Sequence, residues 1–146
     1  MKGRPKITRV QLNDYTDEES TIFGIVTTEP DYKISQLINK KLKITLKNIS
    51  TIDLTGSDGL VLNFTRYSCT SVPTETTFNL ISNKSDKDYL LKKFKNIDFF
   101  FRISSIENKC DVEQLIGALR EIERITAVFR LDPMEIRDKN LVYLTL

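Results

Sequence analysis

Asp98 is the one acidic residue embedded in a strongly apolar segment, the run Ile-Asp-Phe-Phe-Phe-Arg-Ile at 97–103. A carboxylate buried in this way could act as a general acid or base. Near the start of a strand it could instead accept hydrogen bonds from backbone N–H groups, and this structural role is the interpretation that we favour. Asp98 is therefore the single catalytic candidate, and the sequence offers no acid pair, nucleophile–base pair or metal cluster around it.

The absence of histidine excludes imidazole-based activation of a nucleophile and every metal site that needs a histidine ligand. The two cysteines, Cys69 and Cys110, are far apart and form no CxxC motif, so we interpret them as buried or idle thiols. We expect no metal and no cofactor. The Gly-Ser-Asp-Gly sequence at 56–59 is typical of a hairpin turn rather than a phosphate loop, because strands are predicted on both sides.

Two groups of lysines could bind an anion, and through it a nucleic acid. No acidic residue interrupts the first group between residues 33 and 47, whereas Asp86 and Asp88 dilute the second. The candidate residues are Lys33, Lys40, Lys41, Lys43, Lys47, Lys92, Lys93 and Lys95. Because 22 Lys and Arg face 20 Asp and Glu, the net charge is only +2. We therefore interpret both groups as solvated surface and keep nucleic-acid binding as an alternative.

The elements that must position these residues follow from the hydrophobic pattern. Strands are predicted over 21–27, 44–54, 60–65, 76–82, 97–103, 126–131 and 141–146, and a single helical turn over 89–94. A helix with one apolar face over 34–42 follows a capping sequence at 28–31, in which Thr28 is the hydroxyl cap. A second helix begins after the cap residue Asp111, and Gly117 within it indicates close packing against a strand.

This order of elements predicts an α+β domain in which a largely antiparallel sheet carries two helices on one face. Its sharpest version is a ferredoxin-like core with extra strands. We expect residues 1–19, with separate basic and acidic blocks, to form a flexible tail, and residues 20–146 to form one domain. No apolar stretch is long enough for a membrane span and no signal peptide is recognisable, so we expect a cytoplasmic protein.

Several short segments resemble the bacterial IPExxxVDY family. In the segment 91–99, Leu91 stands at the Ile position of the signature, and Ile97, Asp98 and Phe99 stand at the Val-Asp-Tyr positions. Two lysines, at 92 and 93, replace the Pro and Glu. The segments 37–42, 80–84 and 126–133 resemble the family in the same order along the chain, so the resemblance covers residues 20 to 146. It implies a bacterial protein but no particular chemistry.

From these observations we expect a non-catalytic cytoplasmic domain that binds a protein partner or a second copy of itself. The predicted C-terminal strand, 141–146, could supply an open sheet edge for a homodimer. One alternative is an RNA- or DNA-associated protein that uses the lysines at 33–47 and 84–95. Another is a small enzyme that uses Asp98 as acid or base. No membrane partner is expected.

Overall fold

A computed structural model describes residues 19–71, 75–86, 88–105 and 111–145. The strands are β1 (Glu19–Thr27), β2 (Lys47–Thr55), β3 (Val61–Ser71), β4 (Thr76–Ser82), β5 (Lys84–Ser85), β6 (Asp88–Tyr89), β7 (Phe99–Ser105) and β8 (Ile125–Leu131). The α-helices are α1 (Asp31–Leu42), α2 (Val112–Arg120) and α3 (Val142–Thr145), and 3-10 turns cover Lys92–Phe94, Pro133–Glu135 and Lys139–Leu141. The predicted tail lies outside the described residues, except that β1 already begins at Glu19.

Six strands form one sheet in the order β2-β3-β4-β7-β1-β8, and every neighbouring pair is antiparallel. Strands β1 and β4 are consequently parallel to each other with β7 between them, and β7 and β8 are parallel with β1 between them. These two interleaved β-α-β units are the ferredoxin-like arrangement. The hairpin β2–β3 is inserted between α1 and β4 and extends the sheet. The predicted fold class is confirmed.

Helices α1 and α2 cover one face of the sheet, as predicted. Ile34 and Ile38 of α1 and Ile116 and Leu119 of α2 are buried in one core with the side chains that alternate along the central strands. The side chain of Asp111 accepts a hydrogen bond from Gln114 N, which confirms the predicted cap of α2. The predicted Thr28 cap of α1 is wrong, because Pro30 holds the cap position and makes no side-chain hydrogen bond.

The opposite face of the sheet is covered by two irregular segments, residues 83–98 and residues 132–145. Their apolar side chains pack on those of the central strands and form a second core. The buried members of this core are Ile22, Ile52, Phe64, Ile81, Leu90, Leu91, Ile97, Phe100, Ile136 and Leu144. These segments pack on the sheet through their side chains and are not strands of its hydrogen-bonded ladder. Hydrophobic burial and specific polar contacts must therefore fix the path of their backbone.

The predicted C-terminal strand is wrong: residues 139–145 form a 3-10 turn followed by α3. The Asp138 side chain accepts a hydrogen bond from Asn140 N at 2.8 Å and so starts a helical turn. The Asn140 amide then donates to Leu90 O at 2.8 Å, which ties this turn to the segment 83–98. Leu144 is only 1% exposed, so this part of the chain is packed on the second face and supplies no sheet edge.

The close approach predicted at Gly117 is also wrong, because a Cβ there would meet no other described atom within 4 Å. The close approach lies at Gly24 in β1 instead. A Cβ at Gly24 would lie 2.5 Å from Ile97 Cδ1. The missing side chain at Gly24 therefore lets the segment 83–98 lie directly on the sheet.

We predict that Leu144→Ala lowers the free energy of unfolding by about 2–4 kcal/mol, because it opens a cavity in the second core. Met134→Ala, at a side chain that is 88% exposed, is the control and should change it by less than about 0.5 kcal/mol. Urea unfolding followed by circular dichroism measures both. If both substitutions changed the free energy of unfolding by the same small amount, the packing of α3 on the sheet would be contradicted.

Candidate functional site

Asp98 lies immediately before β7 and its two carboxylate oxygens are both engaged. Oδ2 accepts a hydrogen bond from Thr27 N at 2.9 Å, and Oδ1 forms an ion pair with Lys84 Nζ. The backbone N–H of Asp98 donates to Ile25 O, also at 2.9 Å. Asp98 thus joins the end of β1 to the start of β7, in agreement with the structural interpretation.

Asn83 is the most highly connected polar residue of the second face, and the sequence analysis missed it. Its Nδ2 donates to Phe94 O and to Ile97 O, both at 2.9 Å, and its Oδ1 accepts from Leu91 N at 2.8 Å. Its backbone N–H donates to Asp98 O at 2.9 Å. Because the side chain is fully buried, these bonds replace all of its contacts with water. Asn83 therefore fixes the path of the segment 83–98.

Most of the first lysine group lies on the helix-covered side of the sheet. Lys47 is the exception, because its cross-strand partner Ser68 alternates with Tyr67 and Cys69 of the helix-covered core. Lys33, Lys40 and Lys41 belong to α1, and Lys43 and Lys47 follow in the connection to β2 and in β2 itself. Lys41 Nζ lies 2.6 Å from Glu121 Oε1. Part of this group is consequently neutralised by α2.

The second lysine group lies on the opposite side of the sheet. Lys92 and Lys93 belong to the 3-10 turn of the segment 83–98, and Lys95 follows it. Lys92 Nζ is 3.6 Å from Asp88 Oδ2. Since α1 and this segment pack on opposite faces, the lysines of α1 and the second group do not combine into one cationic surface.

A groove of about 580 Å³ opens between the tip of the β2–β3 hairpin, the segment 83–98 and the C-terminal turns. It is lined by Leu54, Thr55, Gly56, Ser57, Leu62, Asp88, Tyr89, Lys92, Lys139, Asn140, Val142 and Tyr143. Of the predicted anion-binding residues it contains Lys92 alone. Among its lining residues Asp88 is the one carboxylate, and it lies beside Lys92, so the groove can accommodate a small polar molecule next to this ion pair.

The perturbed ionisable groups keep their usual charge at neutral pH. Burial raises the pKa of the Cys69 thiol, and a backbone hydrogen bond at Thr45 opposes this only in part. Hydrogen bonds from Thr51 and Asn63 lower the pKa of the exposed Asp53 carboxyl. Cys69 therefore stays a protonated thiol and Asp53 a carboxylate, which leaves neither poised for proton transfer.

The two outer strands of the sheet differ in how they discourage the addition of another strand. Strand β2 carries Lys47 and Asp53, and its register with β3 shifts between Ile49 and Ile52. Charges and bulges of this kind protect an edge. Strand β8, Ile-Thr-Ala-Val-Phe-Arg-Leu, contains no lysine and no proline, and its Phe129 is 44% exposed.

The contacts of β1 show which residues of β8 direct their backbone N–H and C=O groups towards β1. Ile25 O accepts from Asp98 N, and Thr27 N donates to the Asp98 side chain, so these two residues direct their polar groups to the β7 side. Because this direction alternates along a strand, Gly24 directs its N–H and C=O towards β8, where it is paired with Phe129. The polar groups of Phe129 are therefore used within the sheet.

Val128 and Arg130, the neighbours of Phe129, direct their backbone N–H and C=O groups away from the sheet. Arg120 Nη2 donates to Val128 O at 2.9 Å, which confirms that this carbonyl points outward. No strand of the described part of the chain pairs with this side of β8. The sequence predicted β8 as a strand, but its edge position depends on the strand order, which the sequence did not contain.

Comparisons with known proteins add no relative. No protein-family model matches the chain, and no curated protein matches it. Within the described residues, acidic and cysteine side chains form no group of three or more that could hold a metal ion. None of the helices described is both long and apolar enough to cross a membrane.

We predict that Asn83→Ala lowers the free energy of unfolding by about 2 kcal/mol or more, since it leaves the buried Leu91 N–H and Ile97 C=O without their partner, whereas the Phe94 C=O keeps its hydrogen bond from Ile97 N. Asn63→Ala is the matched control, because the Asn63 amide donates to Asp53 Oδ1 on an exposed part of β3 and should cost under about 1 kcal/mol. Urea unfolding measures the difference. Equal costs would show that Asn83 does not organise the second face.

Proposed function

We propose that this protein is a non-catalytic interaction domain that binds its partner by adding a strand to the outer edge of β8. The observation that carries this proposal is the outer side of β8, with which no strand of the described residues pairs, beside the exposed Phe129. An edge of this kind supplies backbone hydrogen bonds for affinity, and its side chains supply specificity. The binding edge expected at the C-terminal strand is thereby replaced by β8.

The packing of the sheet supports this choice. Helices α1 and α2 cover one face, and the segments 83–98 and 132–145 cover the other. Association through a sheet face would require one of these covers to leave. Association through β8 requires no rearrangement of either core, so it is the less costly mode.

The alternative of an enzyme that uses Asp98 has less support. Asp98 is held between Thr27 N and Lys84, and its side chain is only 14% exposed. These contacts suit a residue that joins two strands. A substrate would have to share the carboxylate with these two partners.

The alternative of a nucleic-acid-binding protein also has less support. A phosphate backbone engages several lysines on one continuous surface. Here the lysines of α1 and those of the second group lie on opposite sides of the sheet, and Lys41 and Lys92 are in ion pairs. The α1 group alone would have to provide the whole surface.

We also propose that the chain belongs to the IPExxxVDY family and acts in the bacterial cytoplasm. The signature positions support a structural interpretation of that resemblance. Leu91, Ile97 and Phe99 are buried, and Asp98 joins β1 to β7. Residues 92 and 93, where Lys replaces Pro and Glu, lie on an exposed 3-10 turn.

We predict that Arg130→Pro abolishes binding at β8 and leaves the fold intact. Proline removes the outward N–H of Arg130 but no hydrogen bond to β1, and it is tolerated on an edge strand in this position. Arg130→Ala is the matched control, because it removes the side chain and keeps the N–H. The measurement is affinity capture from a lysate of the source cells, combined with light scattering of the purified proteins.

Binding that persists in Arg130→Ala and is lost in Arg130→Pro, with equal circular dichroism spectra, supports the proposal. Unchanged binding in Arg130→Pro refutes it. Loss in both variants would also refute it, because the side chain rather than the backbone edge would then carry the interaction.

A further inference from the structure

We infer that the partner of β8 is a second copy of this chain, paired antiparallel with it about a two-fold axis at Phe129. This inference rests on the proposed function, because it names the partner of the same edge. A single antiparallel edge is complementary to itself under a two-fold rotation, so a homodimer needs no second kind of surface. The residues of β8 determine which register the two β8 strands adopt.

Of the symmetric registers in which outward-facing residues oppose each other, the three centred on Val128, Phe129 or Arg130 lie in the middle of the regular part of β8. The axis can pass through Val128, through Phe129 or through Arg130, since in each case outward-facing residues oppose outward-facing residues. The register between β1 and β8 is regular from Ala127 to Leu131 and shifts just before Ala127. These five residues are the regular part of the edge, and Phe129 is their centre.

The axis through Arg130 places the two arginines directly opposite each other, which is unfavourable. The axis through Val128 places Arg130 opposite Thr126 of the second copy, inside the irregular part of the strand. The axis through Phe129 avoids both faults. It pairs Val128 with Arg130 of the second copy twice, which allows four backbone hydrogen bonds.

The exposed side chain of Phe129 gains a partner in this register. The two Phe129 residues form a non-hydrogen-bonded pair, the closer of the two antiparallel pair types, on one side of the joined sheet. An aromatic pair across neighbouring strands stabilises the pairing. The Val128 carbonyl, which accepts from Arg120 Nη2, has a second lone pair for the N–H of Arg130 in the second copy.

Disulfide trapping tests this arrangement. Phe129→Cys, in full-length protein that also carries Cys69→Ser and Cys110→Ser, places two thiols at the axis, with Cα atoms about 4.5 Å apart and within the range of a disulfide. Ala127→Cys in the same background is the matched control, because its two thiols would lie about 13 Å apart. The readout is the fraction of dimer after mild oxidation, on a non-reducing gel.

We expect about tenfold more cross-linked dimer from Phe129→Cys than from Ala127→Cys, because only the first pair meets disulfide geometry. The double variant Ala127→Cys with Leu131→Cys should also cross-link, since these two positions oppose each other across the axis. This double variant keeps Phe129, so it provides an independent readout if Phe129→Cys folds poorly.

Each outcome separates the inference from the proposed function. Failure of both cysteine variants, while Arg130→Pro alone still loses a captured protein, overturns the homodimer and leaves β8 as an edge for a different protein. Failure of both, together with unchanged binding in Arg130→Pro, overturns the inference and the proposed function. Cross-linking from Ala127→Cys at the level of Phe129→Cys would show random collision and overturn the inference.

Discussion

The buried amide of Asn83 is the contact on which the second half of this fold depends. Residues 83–98 have no long ladder of their own, yet the core that they help to cover contains buried side chains of five strands, β1, β2, β3, β4 and β7. Asn83 holds three points of this segment through its side chain, and its backbone N–H joins it to Asp98. In a low-dielectric core, a fully satisfied polar network of this kind specifies one path for the chain.

Because other segments of the chain cover both faces of the sheet, these covers determine which parts of the sheet a partner can reach. With α1 and α2 on one side and two irregular segments on the other, the outer sides of β2 and β8 are the parts of the sheet with which no strand of the described residues pairs. Strand β2 carries Lys47 and a register shift, whereas β8 presents the exposed Phe129 and no protecting lysine or proline. The physical argument for association therefore comes from the covering segments as much as from β8 itself.

The sequence predicts the local structure of this protein well, because strand alternation, the apolar face of α1 and the Asp111 cap are local patterns. It also predicts the structural role of Asp98, whose apolar flanks required nearby donors. The sequence-based prediction is wrong where long-range contacts determine the structure of a segment. The segment 141–145 is apolar enough for a strand, but Asp138 and the buried Leu144 make it helical. Neither the burial of Asn83 nor the edge position of β8 is encoded in a local pattern, since both follow from the strand order.

Amide hydrogen exchange, measured by NMR over a range of protein concentrations, tests the central claim most directly. At low concentration the Val128 and Arg130 amides should exchange quickly, while those of Phe129 and Leu131 are protected by β1. Raising the concentration should protect Val128 and Arg130 and leave the amides of β2 unchanged. Exchange that is independent of concentration at Val128 and Arg130, or new protection that appears in β2 instead, would contradict the account.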